Sequence, residues 1–338
     1  MPDSRNMFLI AEIAQAHEGS LGIAHSYIDA LAETGVDAVK FQVHIAEAES
    51  SSLEQFRVNF SYEDATRFDY WKRMEFTPEQ WAGLKKHCTE KGMEFLASPF
   101  SVAAVTLLEQ LDVKQYKIGS GELSNFLMLE RIAQTGKPII LSSGMSDWEE
   151  LDDTIAFLRP FGNKLSLMQC TTAYPTQPEQ WGLQVMAAMK ERYNIPVGFS
   201  DHSANIYAGL AAAALGASML EFHVVFHKTM FGPDAKASLT IEETAQLVAG
   251  CRQISKALQT PVAKTDAAAF STLKTMFGKS LCVNKDLPAG HILESADLES
   301  KKPGDAGIPA HDYRSCIGKK LVQDLKRWSF LKPEHLQS

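Results

Sequence analysis

Between Phe8 and about Gln253 the chain alternates eight short β-forming runs with longer helix-compatible stretches, and this alternation restricts the fold more than any other feature. The runs are FLIAEIA from Phe8, DAVKFQVH from Asp37, EFLASPF from Glu94, QYKIGSG from Gln115, PIILSSG from Pro138, LSLMQCTT from Leu165, PVGFSDH from Pro196 and MLEFHVV from Met219. Strands alternating with helices build repeated βαβ units around a parallel sheet. Eight units in about 250 residues fit a closed (β/α)8 TIM barrel better than an open doubly wound sheet, which more commonly has five or six strands. A long insertion, roughly Ala46 to Thr77, interrupts the second unit with acidic and aromatic residues. Because it follows a strand, it is expected at the catalytic mouth of the barrel, in the position of a lid.

The barrel is expected over 1–258. Beyond it, QTPVAKTDAAAFSTLKTMFG loses periodicity and reads as a linker over 259–278. From 279 to 338 the strand-like pieces SLCVN, HILE and KKLVQ are separated by the turn signals DLPAG and KPGDAGIPAHD, which implies a small β-rich module. So small a unit gains stability by docking on a larger surface.

A chain of 338 residues with 45% hydrophobic content buries a sizeable core. Its formal charge of −8 argues against a general attraction to nucleic acid or an anionic membrane, so an anionic ligand must find a local cationic pocket. No run of about 18 apolar residues is present, and the apolar run in MPDSRNMFLIAEIA is too short for a signal peptide. Cys88, Cys170, Cys251, Cys282 and Cys316 are scattered and odd in number, which points to a reducing compartment and a cytoplasmic location.

In a barrel the chemistry sits at the C-terminal ends of the strands. Reading there gives Glu12, His17 and Glu18, then Lys40, Gln42 and His44, then Ser98, then Lys117, Ser120 and Glu122. The later strands give Ser142 and Ser143, Thr172 and Tyr174, Ser200, Asp201 and His202, and finally Glu221 and His223. A lone histidine at a strand end is more often a hydrogen-bonded structural group than a ligand. His202 and His223 differ because they end adjacent strands, where Cβ atoms about 5 Å apart suit two imidazoles on one divalent ion. With carboxylates available and no cysteine expected nearby, such a site suits Mn²⁺, Mg²⁺ or Zn²⁺, completed by waters.

Lys40 and Lys117 lie in apolar strands, where an ammonium is costly unless it meets an anion. That anion is either a phosphate or carboxylate ligand between them, or an internal partner, Glu12 or Glu122. The hydroxyls of Ser120, Ser142 and Ser200, beside Gly119, Gly121 and Gly144, offer donors to phosphate oxygens while letting backbone approach closely.

The phrases IAEIAQAHEGS, VKFQ, SPFS, YKIGSGELSN, LSSGM, QCTTAYPT, GFSDHS and GPDAKASL occur in this order and together resemble the sialic acid (N-acetylneuraminate) synthase family, which includes the legionaminic and pseudaminic acid synthases. The C-terminal LPAGHIL, KKPGDAGI and IGKKL resemble that family's antifreeze-like (SAF, β-clip) domain. The resemblance implies a barrel that joins phosphoenolpyruvate to N-acetylmannosamine or a related acetamido-sugar, giving a nine-carbon α-keto acid and phosphate, with Mn²⁺ or Mg²⁺. It implies His202 and His223 as metal ligands and Glu12 as the glutamate facing the metal and the reacting carbons. Lys40, Ser98, Lys117, Ser120, Ser142, Tyr174 and Ser200 match the phosphoenolpyruvate and active-site polar set, while Glu122 and Asp234 match residues that contact the sugar. It also implies a homodimer in which the antifreeze-like domain covers the partner's barrel mouth.

The chain departs from the commonest pattern on the sugar side. Ala16 stands where the family usually has Asn, and Thr172 where Asn is common. Phe222 stands where Arg is frequent, and Lys302 where the antifreeze-like domain commonly offers Arg. Lys302 keeps the charge without the bidentate geometry and is the weaker candidate for reaching a sugar. Phe222 either removes a site cation or simply faces the helical layer. These changes fit a 6-deoxy diacetamido hexose, as in legionaminic or pseudaminic acid synthesis, about as well as N-acetylmannosamine. The rivals are a seven- or eight-carbon sugar-acid phosphate synthase or a metal-dependent aldolase, which would want a further basic cluster, and a non-catalytic carbohydrate-binding barrel, which would be expected to have lost Glu12, His202 or His223.

Overall fold

A computed structural model of the chain describes residues 7–56, 60–260, 262, 264–265 and 267–337. The chain divides into two compact units, Met1–Thr260 and Pro261–Ser338.

The first unit is an eight-stranded parallel barrel. Its strands are β1 (Phe8–Ala14), β2 (Ala38–Val43), β3 (Glu94–Pro99), β4 (Tyr116–Ile118), β5 (Ile139–Ser142), β6 (Leu165–Cys170), β7 (Val197–Asp201) and β8 (Met219–His223). The ladder runs β3-β2-β1-β8-β7-β6-β5-β4, and β3 and β4 close the ring as neighbours without a ladder among the described residues. All eight lie where the β-forming runs predict them.

Period-2 alternation sorts the strand side chains into two cores. Inward-facing Phe8, Ile10, Ala38, Leu96, Ile140, Met168 and Met219 fill the lower part of the barrel. Outward-facing residues such as Leu9, Val39, Phe41, Leu141, Phe199, Leu220 and Phe222 pack against the surrounding helices. Gly198 makes the inner layer possible, because a Cβ there would lie 2.2 Å from Met219 Cγ and 2.6 Å from its carbonyl oxygen. Above the apolar plug the inward positions turn polar, and there the candidate site begins.

The helices carry their own start signals. Ser20, Thr77, Ser101, Asn125, Asp147 and Thr240 each accept a backbone N–H in the first turn of the helix that follows. The insertion after β2 holds the helices Ala46–Glu49 and Arg67–Met74. It builds a satellite core from Ala46, Tyr70, Trp71 and Met74, with Phe56, Phe60 and Phe68 packed on it. Its residues 57–59 lie outside the described residues.

The second unit pairs β9 (Ser280–Val283) antiparallel with β10 (Leu298–Lys301). Leu281, Val283, Leu287, Leu293, Cys316, Leu321, Leu325 and Leu331 form its small core. HILE and KKLVQ meet through a single bridge, Ile292 to Lys320, rather than as continuous strands. The stretch read as a linker contains a helix, Ser271–Phe277. Sequence periodicity misses it because the apolar side chains Leu273, Met276 and Phe277 are all exposed, so no buried face marks it. Residues 261, 263 and 266 of that stretch lie outside the described residues.

Candidate active site

Inward positions on β1, β2, β4 and β8 bring four charges together, with a hydroxyl from β7 beside them. Glu221 Oε1 accepts from Lys117 Nζ at 2.9 Å and from Ser200 Oγ at 3.3 Å, and Lys40 Nζ lies 3.5 Å away. Lys40 also meets the Glu12 carboxylate, whose Oε1 accepts the Ala14 N–H at 2.8 Å. Ala14 adopts φ 49°, and the β1–β2 register shifts between Glu12 and Ala14, so the chain leaves the ladder just above Glu12.

Both lysines therefore have internal partners. Lys40 pairs with Glu12, as the ion-pair alternative expects, but Lys117 takes Glu221 and not Glu122. Glu122 lies beyond β4 in the turn Ser120–Glu122 and accepts instead from Asn125 Nδ2 at 2.8 Å. Burial raises the Glu122 carboxyl above its usual pKa.

All four charged side chains are buried, where an unpaired ion would be prohibitive. Burial, followed by the neighbouring Lys117, pulls Lys40 down to about 7 despite the opposing pull of Glu221. Burial would raise Glu221, but Lys117 and Lys40 outweigh it and hold the carboxyl below the ordinary range. The strand-end pattern names Glu221 without announcing that it pairs with both lysines. Its signal is the alternation Met219, Glu221, His223, which puts it on the inner face.

A hydroxyl ledge lies beside this cluster. Ser120 Oγ donates to Ser142 Oγ at 3.2 Å and accepts the Gly144 N–H at 3.0 Å. A Cβ at Gly144 would come within 2.6 Å of Ser120 Oγ and 2.5 Å of Thr172 Oγ1, so this close approach requires glycine. Ser98 Oγ is buried without a hydrogen-bond partner, a donor for which the described residues supply no acceptor.

His202 and His223 converge, with ring centroids 5.2 Å apart. Tyr174 stacks on His202 at 4.2 Å and meets His223 edge-on at 5.9 Å. His202 Nδ1 donates to the Thr171 carbonyl at 3.0 Å, so Nε2 is the nitrogen that can take a ligand once it has lost its proton. Cys170 Sγ lies 3.8 Å from the same Nδ1, so a cysteine is nearby after all, because β6 and β7 are adjacent. Burial opposes protonation of His202, but Cys170 and the Thr171 carbonyl outweigh it and raise the ring to about 9. Burial, then His202 and Lys40, push His223 well below its ordinary value. Asp234 Oδ2 stands 4.0 Å from His223 Nδ1.

Among the described residues no group of three or more His, Cys, Asp or Glu side chains is placed to hold a metal ion. Two converging imidazoles, one with its ring orientation fixed by a carbonyl, nonetheless fit a divalent ion whose other ligands are water or substrate.

The departures separate by position. Phe222 is buried in the outer core and faces the helices, so it does not enter the site. Thr172 borders Gly144, and Ala16 lies in a pocket with His223 and Asp234. Lys302, in the second unit, is exposed and places Nζ 4.8 Å from the Phe277 ring. His44, a strand-end candidate, is an anchor: its ring is sandwiched between Trp71 at 3.8 Å and Phe100 at 4.5 Å, and Nδ1 meets Glu49 at 2.6 Å.

Acid–base groups, two lysines and paired imidazoles gathered at the C-terminal ends of parallel barrel strands define the class, a (β/α)8-barrel enzyme. The NeuB family model matches residues 27–263 and the SAF domain model residues 278–337. The N-acetylneuraminate-9-phosphate synthase of Homo sapiens is 34% identical over 93% of this chain and 88% of its own length. The N,N'-diacetyllegionaminic acid synthase of Campylobacter jejuni is 33% identical over 95% of this chain and 98% of its own. The solved N-acetylneuraminic acid synthetase of Leptospira borgpetersenii superposes with TM-score 0.71 at 29% identity, covering 80% of this chain and 91% of that one. The chain belongs to the NeuB family of sialic acid synthases, and it is an enzyme of that family with a C-terminal SAF domain.

Proposed function

We propose that this enzyme condenses phosphoenolpyruvate with N-acetylmannosamine or a related acetamido-sugar, releasing phosphate and a nine-carbon α-keto acid. The observation that carries the reading is the placement of Lys40, Lys117 and the Ser120–Ser142 ledge beside the His202–His223 pair, within a family of sialic and legionaminic acid synthases.

In this reading the enol phosphate lies over the ledge, with its oxygens taking the Ser98, Ser120 and Ser142 hydroxyls and the two ammoniums. The sugar lies toward Tyr174, Asp234 and Glu122. The enol double bond supplies the electron pair for a new bond from its methylene carbon to the aldehyde carbon, and the aldehyde oxygen takes up a proton. Water, deprotonated toward Glu12, adds to the carbon bearing phosphate; the C–O bond to phosphate then breaks and leaves a ketone. His202 and His223 would hold a divalent ion, Mn²⁺ or Mg²⁺, which when bound supplies Lewis-acid polarisation of the aldehyde.

The acceptor is N-acetylmannosamine or a 6-deoxy diacetamido hexose of the legionaminic or pseudaminic type. We place the SAF unit of one subunit, with Lys302, over the partner's barrel mouth in a homodimer. Neither nucleic acid nor membrane is a partner in this reading, and no helix among the described residues is long and apolar enough to cross a membrane. Retention of Glu12, His202 and His223 together favours catalysis over a barrel kept only for carbohydrate binding.

His202→Ala tests the reading: phosphate release supported by Mn²⁺ is expected to vanish while the protein stays folded. Near-normal turnover in that variant would remove the imidazole pair from the chemistry.

A further inference from the structure

In the helical layer outside the barrel strands, two further histidines face each other. The helix Leu21–Ala32 presents His25 and Asp29, and the helix Pro78–Glu90 presents His87, with Lys91 at its C-terminal end. Residues four apart share a helix face, so His25 and Asp29 meet His87 and Lys91 together. His25 Nδ1 and His87 Nδ1 lie 2.8 Å apart, with ring centroids 4.9 Å apart and planes tilted by 40°. Asp29 Oδ1 stands 3.1 Å from His87 Nε2 and 2.6 Å from Lys91 Nζ. Buried faces hold both helices in place, through Tyr27 and Ile28 on one and Trp81 and Leu84 on the other.

The carboxylate decides where the protons sit. Asp29 accepts from His87 Nε2, which leaves that ring's lone pair on Nδ1. His25 Nδ1 is then the donor in the bond between the rings. Moving its proton through water to Nε2 turns a second lone pair toward the first, with no change in net charge. Burial, then His87, hold His25 below its ordinary pKa against the pull of Asp29, so the ring is neutral near neutral pH. Two imidazole nitrogens about 2.0–2.1 Å from one ion lie about 2.8–3.0 Å apart at a right angle and about 3.3 Å apart at a tetrahedral angle. The observed spacing of 2.8 Å therefore suits a cis pair on a square-planar or octahedral ion.

We propose that His25 and His87 form a metal site separate from the barrel histidines, for a late first-row divalent ion such as Ni²⁺, Cu²⁺ or Zn²⁺. Asp29 is turned to the far nitrogen of His87 and acts as a positioning residue, so the site has two protein ligands, and waters complete it. Imidazoles without carboxylate oxygens suit Mg²⁺ poorly, and Mn²⁺ stands lowest in affinity among the first-row ions. The ion replaces one hydrogen bond between the two helices by two coordinate bonds.

The test titrates Ni²⁺ by calorimetry into the full-length, untagged His202→Ala/His223→Ala protein, which lacks the barrel pair. One equivalent is expected to bind, and adding His25→Ala or His87→Ala is expected to weaken it about tenfold or more. In the otherwise wild-type enzyme the same substitutions are expected to lower the bound Ni²⁺ by one equivalent. Electron paramagnetic resonance of the Cu²⁺-loaded protein is expected to show two coupled imidazole nitrogens, and one after His25→Ala. Asp29→Asn is expected to weaken binding about tenfold while both nitrogens remain coupled, as befits a residue that only orients a ligand. Nickel affinity unchanged by His25→Ala and His87→Ala overturns the proposal, and so does the absence of any Ni²⁺ binding that depends on these two residues in the folded enzyme. Displacement of Ni²⁺ by millimolar Mg²⁺ contradicts imidazole ligation.

Discussion

Glu221 carries more of the barrel's electrostatics than any other side chain of the cluster, since it takes Lys117, Ser200 and the approach of Lys40 together. Removing one partner from a buried ion cluster leaves uncompensated charge, so Glu221→Ala is expected to cost about 3–5 kcal/mol of stability in denaturant unfolding. Adding Lys117→Met should recover part of that loss, because the stranded ammonium goes with it. Strictly additive losses would contradict the pairing. His17 makes a second claim at this scale. It is buried against Phe76, accepts the Gly19 N–H through Nδ1 at 3.1 Å, and burial lowers it to about 3. Below pH 6.5 the unfolded chain binds a proton that the folded chain refuses, so stability falls as pH drops from about 6.5 toward 3. The limiting slope from this one group is about 1.4 kcal/mol per pH unit. His17→Gln should flatten the acid limb by that amount, and an unchanged limb would contradict a neutral buried ring.

At the scale of elements, strands were the most legible part of the sequence, because an inward and an outward core impose strict alternation on runs such as Met219 to His223. That alternation also places Phe222 among the helices, where the missing arginine changes nothing in the site. Partner choice was less legible. Lys117 finds Glu221 because closing the ring brings β4 and β8 to a common axis, which nothing in either strand's own sequence announces. The helix Ser271–Phe277 escaped for the opposite reason, as its apolar residues bury no face. The insertion after β2 was readable as an aromatic excursion, but its attachment was not: His44 clamps Trp71, and Arg73 ties Glu18 to Asp64. Trp71→Ala removes one of the two rings stacked on His44, the one that the insertion supplies, so amide exchange across the helix Arg67–Met74 should speed up while β1 and β8 stay protected. Uniform loss of protection would mean the insertion is part of one cooperative unit with the barrel.

For the whole molecule, the decisive balance is that two lysines face two carboxylates. Glu12, Lys40, Lys117 and Glu221 sum to zero formal charge, so they alone offer an anion no net field. In the proposed reaction the remaining attraction comes from hydroxyls, the backbone around Gly144 and a divalent ion at His202 and His223. Chelating divalent ions is therefore expected to weaken phosphoenolpyruvate binding by about tenfold or more, and adding Mn²⁺ back should raise the melting temperature of the wild type but not of His202→Ala. The central claim is tested most directly by incubating the enzyme with phosphoenolpyruvate, an unphosphorylated acetamido-sugar and Mn²⁺, and measuring phosphate and α-keto acid in the same sample. Equal amounts of both, formed only when the sugar is present, are the predicted result; phosphate released without sugar, or no phosphate from a folded protein, would contradict it.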